Sequence, residues 1–338
     1  MPNFISNITT GFQNTLLTIL TYSWQLIMFV ILFAVFSEIW LWRKQTIFKN
    51  NIVWTMLEIV PPREVRKSPK AMEQILTAIY SLRNAPGDFF EKWIDGEVTQ
   101  WFSLEIASFE GEIHFFLRTP IKFKNVIEAN LYAHYPDIQV NVVDDYMNRF
   151  PNMTKDLYKQ GLDIFGSELT LTKDDAYPIR TYPQFEAIED EQKVDPISSL
   201  LENLGKLKSG EDIFIQFLIK PADSLVWKKQ GEKLVEELKS KLMMEIPGAE
   251  TGKIIKSPRI PTPGETDIMK AIENSMTKPG FETVIRILYI APKTIYDNTF
   301  ANKGFMGILN QYSSMSLNSF THNINIRTQL PKRHKYPY

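Results

Sequence analysis

Residues 101–120 read WFSLEIASFEGEIHFFLRTP, and this stretch decides the fold of the chain. Two runs rich in apolar and aromatic residues flank Glu110-Gly111, a pair that favours a tight turn between antiparallel strands. Pro120 ends the second run, because proline has no N–H to donate to a strand ladder. The stretch therefore predicts a β-hairpin, around which the neighbouring elements can be placed.

Helices and strands alternate on both sides of this hairpin. Upstream lie a strand at residues 53–60 and a helix at residues 71–82, whose apolar residues recur at helical spacing. Downstream lie a helix at residues 123–135 and a strand at residues 138–143. The order β-α-β-β-α-β over residues 52–145 is that of a ferredoxin-like unit, an antiparallel sheet with both helices on one face.

The second half of the chain resumes the alternation after an irregular connection. Residues 146–195 are predicted to be that connection, with short strands at residues 167–172 and 177–182. Residues 196–326 are predicted to be a second ferredoxin-like unit that carries a helical insertion at residues 225–278. Its predicted elements are a helix at 197–207, a strand at 212–220, helices at 227–244 and 266–277, a strand at 282–291, a helix at 298–312 and a last strand between 317 and 326. The predicted fold class is α+β.

Residues 16–42 read LLTILTYSWQLIMFVILFAVFSEIWLW, with Glu38 as the one charge. About 20 apolar residues suffice to cross the hydrocarbon core of a bilayer. A cleaved signal peptide would need a basic start and a small-residue cleavage site, and residues 1–15 contain no Lys or Arg. We therefore predict a transmembrane helix at residues 16–42, with residues 1–15 outside the cytoplasm.

The flanks of this helix predict its orientation. Trp40 and Trp42 fit an aromatic belt at the membrane interface, and Arg43, Lys44 and Lys49 follow directly. Basic flanks remain in the cytoplasm. We therefore expect a protein of the inner (cytoplasmic) membrane whose N-terminus lies outside and whose body lies in the cytoplasm.

The composition excludes several classes of site. The chain has no cysteine, which excludes disulfides, thiolate metal sites and cysteine nucleophiles. Its formal net charge of −1 disfavours a protein that binds nucleic acid through phosphates alone. The sequence predicts no catalytic, cofactor-binding or metal-binding residue.

Two acidic pairs and four histidines are the remaining candidates for chemistry. Asp144-Asp145 and Asp174-Asp175 could offer oxygen ligands to a hard cation, although such pairs beside strand ends more often belong to turns. The histidines show no partner at a motif spacing, and they are His114, His134, His322 and His334. We expect a surface or sheet-packing role for His114 and a helix-capping role for His134.

Residues 327–338 form a basic tail that could contact nucleic acid or anionic lipid. Its candidate contact residues are Arg327, Lys332, Arg333 and Lys335. The alternative is a solvated tail or a linker to a further segment.

Several strings taken together resemble a known family. They are LEIVPPREVRKSPKAMEQIL, SLEIASFEGEIHFFLRTP, EANLYAHYPDIQVNVVDDY, DAYPIRTYPQFE, DPISSLLENLGKLKSGEDIFIQFLIKP and WKKQGEKLVEEL. This pattern resembles the membrane-anchored N-terminal region of type IV secretion or conjugation-ATPase-like proteins of small, reduced-genome bacteria. In longer members that region precedes a DNA-translocating or secretion ATPase, and here the chain ends at Tyr338 without one.

The resemblance implies a role without implying a catalytic activity. Residues 248–254 read GAETGKI, which has the wrong spacing for a phosphate-binding loop and lacks Ser or Thr after the lysine. We therefore expect a non-enzymatic, membrane-anchored scaffold or docking subunit that binds a separate ATPase or assembles with its own copies. The alternatives are a metal-dependent enzyme that uses the paired aspartates and a membrane-tethered nucleic-acid-binding module.

Overall fold

The computed structural model describes residues 2–62, 68–151, 153–186, 196–247 and 254–328. The fold is α+β, as predicted, and the chain divides into two units. The helical unit comprises residues 1–52 and 84–99, and the sheet unit comprises residues 53–83 and 100–338.

The helical unit is built on one long helix, α1 (Pro2–Asn50). Within the described residues it is the one helix long and apolar enough to cross a membrane, with a mean hydropathy of 2.0 in its most apolar window. The prediction of a single apolar N-terminal helix is confirmed. The helix is longer than the predicted residues 16–42. Its polar ends contain no proline after Pro2, and their one glycine, Gly11, weakens a helix without ending it.

The helical unit also contains residues Asn84–Thr99, which we call the aromatic segment. This segment includes a short π-helical turn at Glu91–Asp95. No helix or strand is predicted for these residues from the sequence.

The sheet unit is built on eight antiparallel strands in the order β10-β5-β9-β6-β2-β3-β1-β4. The strands are β1 (Trp54–Val60), β2 (Phe102–Phe109), β3 (Glu112–Pro120), β4 (Gln139–Val143), β5 (Leu162–Leu171), β6 (Asp212–Pro221), β9 (Phe281–Pro292) and β10 (Phe320–His322). A separate hairpin consists of β7 (Met243–Pro247) and β8 (Ile254–Pro258). The two halves of the large sheet meet where β2 pairs with β6.

The helices of the sheet unit lie between these strands in the chain. They are α2 (Lys70–Ser81), α3 (Lys124–His134), α4 (Thr154–Lys159), α5 (Pro183–Glu186), α6 (Pro196–Gly205), α7 (Ser224–Lys241), α8 (Pro263–Met276) and α9 (Phe305–Leu309). Shorter helical turns flank α9 at Phe300–Gly304 and Asn310–Tyr312, so the predicted helix at 298–312 is broken into three conformations.

The predicted hairpin at residues 101–120 is confirmed. Phe109 pairs with Glu112 across a two-residue turn, and both turn residues have positive φ, 51° at Glu110 and 96° at Gly111. Such a turn matches the right-handed twist of the strands it joins. Gly111 is needed for a second reason, since a Cβ there would lie 2.9 Å from the carbonyl oxygen of Gly205.

One face of the sheet carries helices and two apolar clusters. The first contains Leu57, Ile75, Ile79, Leu117, Ile127 and Leu131, from β1, α2, β3 and α3. The second contains Phe165, Leu204, Ile215, Tyr289 and Phe305, from β5, α6, β6, β9 and α9. Because side chains alternate along a strand, the residues between them point to the opposite face. There Met56, Phe116, Tyr146 and Phe214 form a third cluster.

The predicted irregular connection at residues 146–195 contains a full strand of the sheet. β5 is a ten-residue strand that pairs with both β9 and β10, and it extends beyond the predicted short strand at 167–172. The predicted strand at 177–182 is wrong. The Asn318 side chain donates to the Tyr177 carbonyl at 3.1 Å, and Arg180 N–H donates to the Tyr312 carbonyl at 2.9 Å. These backbone groups therefore bond to loops and turns instead of a neighbouring strand.

Candidate membrane interface

Large apolar side chains cover the surface of α1. Leu26, Phe29, Leu32, Phe33 and Phe36 are each 58–68% exposed. Apolar surface in water costs about 25 cal/mol per Å², and patches of this size on a protein mark a contact with another apolar phase. The surface of α1 therefore has the chemistry of a bilayer-spanning helix.

The predicted interfacial residues lie together at the C-terminal end of α1. Trp40, Trp42, Arg43, Lys44 and Lys49 occupy its last three turns. Trp42 is 68% exposed, and the Lys44 Nζ lies 5.3 Å from the centre of the Trp40 ring. The helix thus changes from apolar to aromatic and then to cationic within about 14 Å of its axis.

The aromatic segment packs against this end of α1. The indole N–H of Trp40 donates a hydrogen bond to the Trp93 carbonyl at 2.9 Å. Gly96 lies so close that a Cβ there would be 2.4 Å from the carbonyl carbon of Lys44. Only glycine fits this approach, and Gly96 also has a positive φ of 72°. The string FFEKWI at residues 89–94 was the available signal, but its contact with α1 is not visible in a sequence.

Local hydrogen bonds fix the shape of the aromatic segment. The Asp88 carboxylate accepts from the Glu91 N–H at 2.8 Å, and the Glu91 carboxylate accepts from the Gly87 N–H at 2.6 Å. The Asn84 amide donates to Glu97 at 3.1 Å. These acidic side chains are therefore engaged with their own segment, whereas Phe89 and Phe90 are 64% and 67% exposed.

An apolar cavity of about 520 Å³, open at the surface, is formed by residues of the helical unit. It is lined by Phe33, Phe36, Ser37, Trp40, Phe89, Trp93 and Ile94. The Ser37 hydroxyl donates to the Ala34 carbonyl at 2.7 Å, so the polar group of that residue is satisfied within α1. The cavity offers a bound molecule almost nothing but apolar contact.

A buried polar cluster lies on the face of the sheet that carries the third apolar cluster. The Tyr146 hydroxyl donates to the Glu105 carboxylate, and the Gln216 amide donates to the same carboxylate at 3.0 Å. Glu105 is 4% exposed. Burial, and then the neighbouring Glu105, raise the pKa of Tyr146 well above its ordinary range. Each polar group in this cluster has a partner, which is the arrangement expected of a structural network.

His114 and His322 lie against residues of the sheet unit. The His114 Nδ1 lies 2.7 Å from a Glu58 oxygen, and its ring stacks on Phe116. This fits the predicted sheet-packing role. The His322 Nδ1 lies 2.8 Å from the Ser167 hydroxyl, and its Nε2 lies 3.0 Å from the Asn302 carbonyl. His334 lies outside the described residues.

The paired aspartates take part in turns. Asp145 accepts a hydrogen bond from the Met147 N–H at 3.0 Å and lies 3.8 Å from Arg118. Asp174 accepts from the Ala176 N–H at 3.1 Å. Throughout the described ranges, no group of three or more His, Asp or Glu side chains is placed to hold a metal ion.

The basic tail is described only at its start. Arg327 is exposed, and its N–H donates to the Asn323 carbonyl at 3.1 Å. Lys332, Arg333 and Lys335 lie outside the described residues, as do residues 248–253 of the GAETGKI string.

A family model for a domain of unknown function, DUF8128, matches residues 43–303. The match begins in the cationic end of α1 and extends to the helical turn before α9. No curated protein sequence matches the chain.

Proposed function

For this chain, which belongs to the family of the domain of unknown function DUF8128, we propose the role of a non-enzymatic, membrane-anchored scaffold or docking subunit of a type IV secretion or pilus-like assembly. The observation that carries this proposal is the exposed apolar surface of α1, which ends at Asn50 and is followed by β1 after residues 51–53. A three-residue link is at most about 11 Å long, so an anchored helix would hold β1 close to the membrane.

The proposal includes a sidedness. The N-terminus lies outside and the sheet unit lies in the cytoplasm, at the inner membrane. Its support is the distribution of basic residues: Arg43, Lys44 and Lys49 follow the apolar run, and residues 1–15 contain none.

The proposal also includes a finer description of the sheet as two ferredoxin-like units. Its support is the strand order, since β4-β1-β3-β2 and β10-β5-β9-β6 follow the same path relative to chain order. Both halves alternate strands and helices as a split βαβ unit does. On this reading the second unit begins at β5, earlier than residue 196, and the segment from α7 to α8 is its insertion.

The partner is a secretion-type ATPase made as a separate chain, or other copies of this protein. The resemblance to regions that precede such an ATPase supports the first. The edge strand β4 supports the second, because it pairs with β1 alone within the described sheet and carries Val142 at 57% exposure. An exposed strand edge is a ready template for pairing with another chain.

Purification of the full chain from membranes in mild detergent tests the proposal. We expect a protein mass well above the 39.3 kDa of one chain, made up of several copies or of one copy with a chain that carries an ATP-binding motif. Recovery of a lone monomer across a range of detergents would contradict the proposal.

Two substitutions by lysine test separately whether copies pair through the edge strand β4. Val142→Lys on β4 should reduce a homo-oligomer to monomer, whereas Val126→Lys on the exposed face of α3 should leave it intact. An equal effect of the two variants would exclude pairing through β4.

A further inference from the structure

We propose that the aromatic segment (Asn84–Thr99) is a second membrane contact, which inserts beside α1 and encloses a lipid acyl chain in the cavity between them. This inference rests on the proposed anchoring of α1. It adds a lipid-binding site and a device that would set the depth of the helix in the bilayer.

The aromatic segment exposes a group of large apolar side chains. Phe89, Phe90 and Ile94 are 64%, 67% and 45% exposed, and they lie within two turns of chain. Aromatic and aliphatic side chains grouped on one short element are typical of elements that lie in a membrane interface. In water the same three side chains would expose apolar surface with no compensation.

The position of Phe89 along α1 indicates how deep the aromatic segment lies in the bilayer. Phe33 and Phe36 line the cavity together with Phe89, and both belong to the apolar run of α1. Phe33 precedes Trp40 by seven residues, or about 10 Å along a helix axis. If Trp40 lies at the headgroup level, Phe89 lies within the hydrocarbon region.

The aromatic segment is attached to α1 by two contacts. The hydrogen bond from Trp40 to the Trp93 carbonyl and the close approach of Gly96 to Lys44 both tie the segment to α1. A segment held in this way enters the membrane wherever α1 does. Its depth is therefore fixed by the fold of the helical unit.

The lining of the cavity indicates which kind of molecule it would hold. A cavity lined by aromatic and aliphatic side chains gives water no set of polar partners, so an apolar molecule is the better occupant. The cavity is continuous with the apolar surface of α1, where the surrounding molecules in a bilayer are acyl chains. The segment carries Asp88, Glu91, Asp95 and Glu97 against one cation, Lys92. Its insertion is therefore driven by apolar contact and should not require anionic lipid.

Single-cysteine labelling tests the insertion, because the natural chain has no cysteine. The full chain is reconstituted in phosphatidylcholine vesicles with an environment-sensitive fluorophore at Phe90→Cys, Leu32→Cys or Met315→Cys. Leu32 reports on α1, and Met315, which is fully exposed on the sheet unit, reports on water. We expect lipids with nitroxide-labelled acyl chains to quench the probes at 90 and 32 at least threefold more than the probe at 315.

The outcomes separate this inference from the proposed function. Quenching at 32 with none at 90 would overturn insertion of the segment and leave the anchor standing. Absence of quenching at both positions would overturn both. Equal quenching at 90 with and without added phosphatidylglycerol is expected, and a strict requirement for the anionic lipid would overturn insertion by apolar contact.

Two glycine substitutions test the attachment. Gly96→Ala places a Cβ 2.4 Å from the α1 backbone, whereas Gly87→Ala meets nothing closer than 3.5 Å. Gly96→Ala should lower quenching at position 90 by half or more without changing it at 32. Gly87→Ala should change neither, and identical behaviour of the two variants would overturn attachment through Gly96.

Photocrosslinking tests the occupant itself. Phosphatidylcholine with a diazirine near the middle of one acyl chain should label peptides that contain Phe36 or Trp93. Ser37→Trp, which places a bulky ring in the cavity, should reduce this labelling while leaving the labelling around Phe29 unchanged. Equal labelling in the natural chain and in Ser37→Trp would overturn the acyl-chain site.

Discussion

α1 and the sheet place the same kinds of side chain in opposite surroundings. Leu32 and Phe36 of α1 are 58% and 60% exposed, whereas Leu57 of β1 and Phe214 of β6 are 0% and 1% exposed. The sheet has buried its apolar residues against its own helices, as a protein in water must. The helix leaves them exposed, as expected of a helix that spans a bilayer, and it is long and apolar enough to do so.

The polar groups show the same contrast. The sheet buries Glu105 with two hydrogen-bond donors around it, so the carboxyl group is accommodated inside the fold. The apolar run of α1 contains one acidic residue, Glu38, and no basic one, and Glu38 lies within a turn and a half of Arg43. The predictions below test this difference in order of decreasing effect.

The largest expected effect is the loss of a core leucine. Leu57→Ala leaves a cavity in the apolar cluster of β1, α2, β3 and α3, and should lower the free energy of unfolding of the sheet by about 2–5 kcal/mol. The matched variant Leu32→Ala on α1 should lower it by a few tenths at most. Urea unfolding of the full chain in detergent, followed by near-ultraviolet circular dichroism, measures both, and equal losses would contradict the division into two environments.

Removal of the buried carboxylate should have the next largest effect. Glu105→Leu leaves the Tyr146 hydroxyl without its acceptor and the Gln216 amide with the Tyr146 hydroxyl alone, which should cost about 1–3 kcal/mol. The double variant Glu105→Leu with Tyr146→Phe should recover part of that loss. As a control, Glu202→Ala removes an exposed ion pair with Lys206 and should have no measurable effect. Equal stability of Glu105→Leu and the natural protein would show that the cluster is solvated.

Alkaline pH should weaken the sheet without affecting the anchor. Burial raises the pKa of Tyr146 and Tyr289 above the ordinary range, and raises that of Tyr296 to about 12. The folded chain therefore keeps protons that the unfolded chain releases above pH 10. The contribution of these tyrosines to stability should be constant below that pH and fall as pH rises from 10 towards 12. Thermal unfolding at pH 8, 10 and 11.5 measures the loss, and Tyr296→Phe should make it smaller.

The smallest expected effect lies in the central hairpin. Glu110 has a positive φ of 51°, which asparagine tolerates better than glutamate. Glu110→Asn should raise the free energy of unfolding by less than about 1 kcal/mol, because the side chain also accepts a hydrogen bond from Ser209 that would be lost. A clear destabilisation in the same urea experiment would show that the Ser209 contact dominates the turn.

The first half of the sheet could be predicted from the sequence because its signals are local. The hairpin needs two turn residues, and the helices α2 and α3 show apolar residues at helical spacing. Only the second half of β5 could be predicted, as the short strand at 167–172, since its string LDIFGSELTL mixes charged residues and a glycine, and its partners β9 and β10 come more than 100 residues later. Its pairing with those strands overrides a weak local preference.

The candidate site divides in the same way. Trp40, Trp42 and the cations that follow could be predicted, because an apolar run and its flanks are contiguous. The aromatic segment was missed, since Phe89 and Trp93 gain meaning only from contact with α1, some 50 residues earlier. A short aromatic string with no period looks like an ordinary loop until its partner surface is known.

Accessibility from the two sides of the membrane tests the central claim most directly. Single cysteines at Asn3, near the start of α1, and at Met315, after it, would be labelled with a membrane-impermeant maleimide in intact spheroplasts and again after permeabilisation. The account predicts labelling of Asn3→Cys in intact spheroplasts and of Met315→Cys only after permeabilisation. Labelling of both from the same side would contradict a membrane-spanning α1.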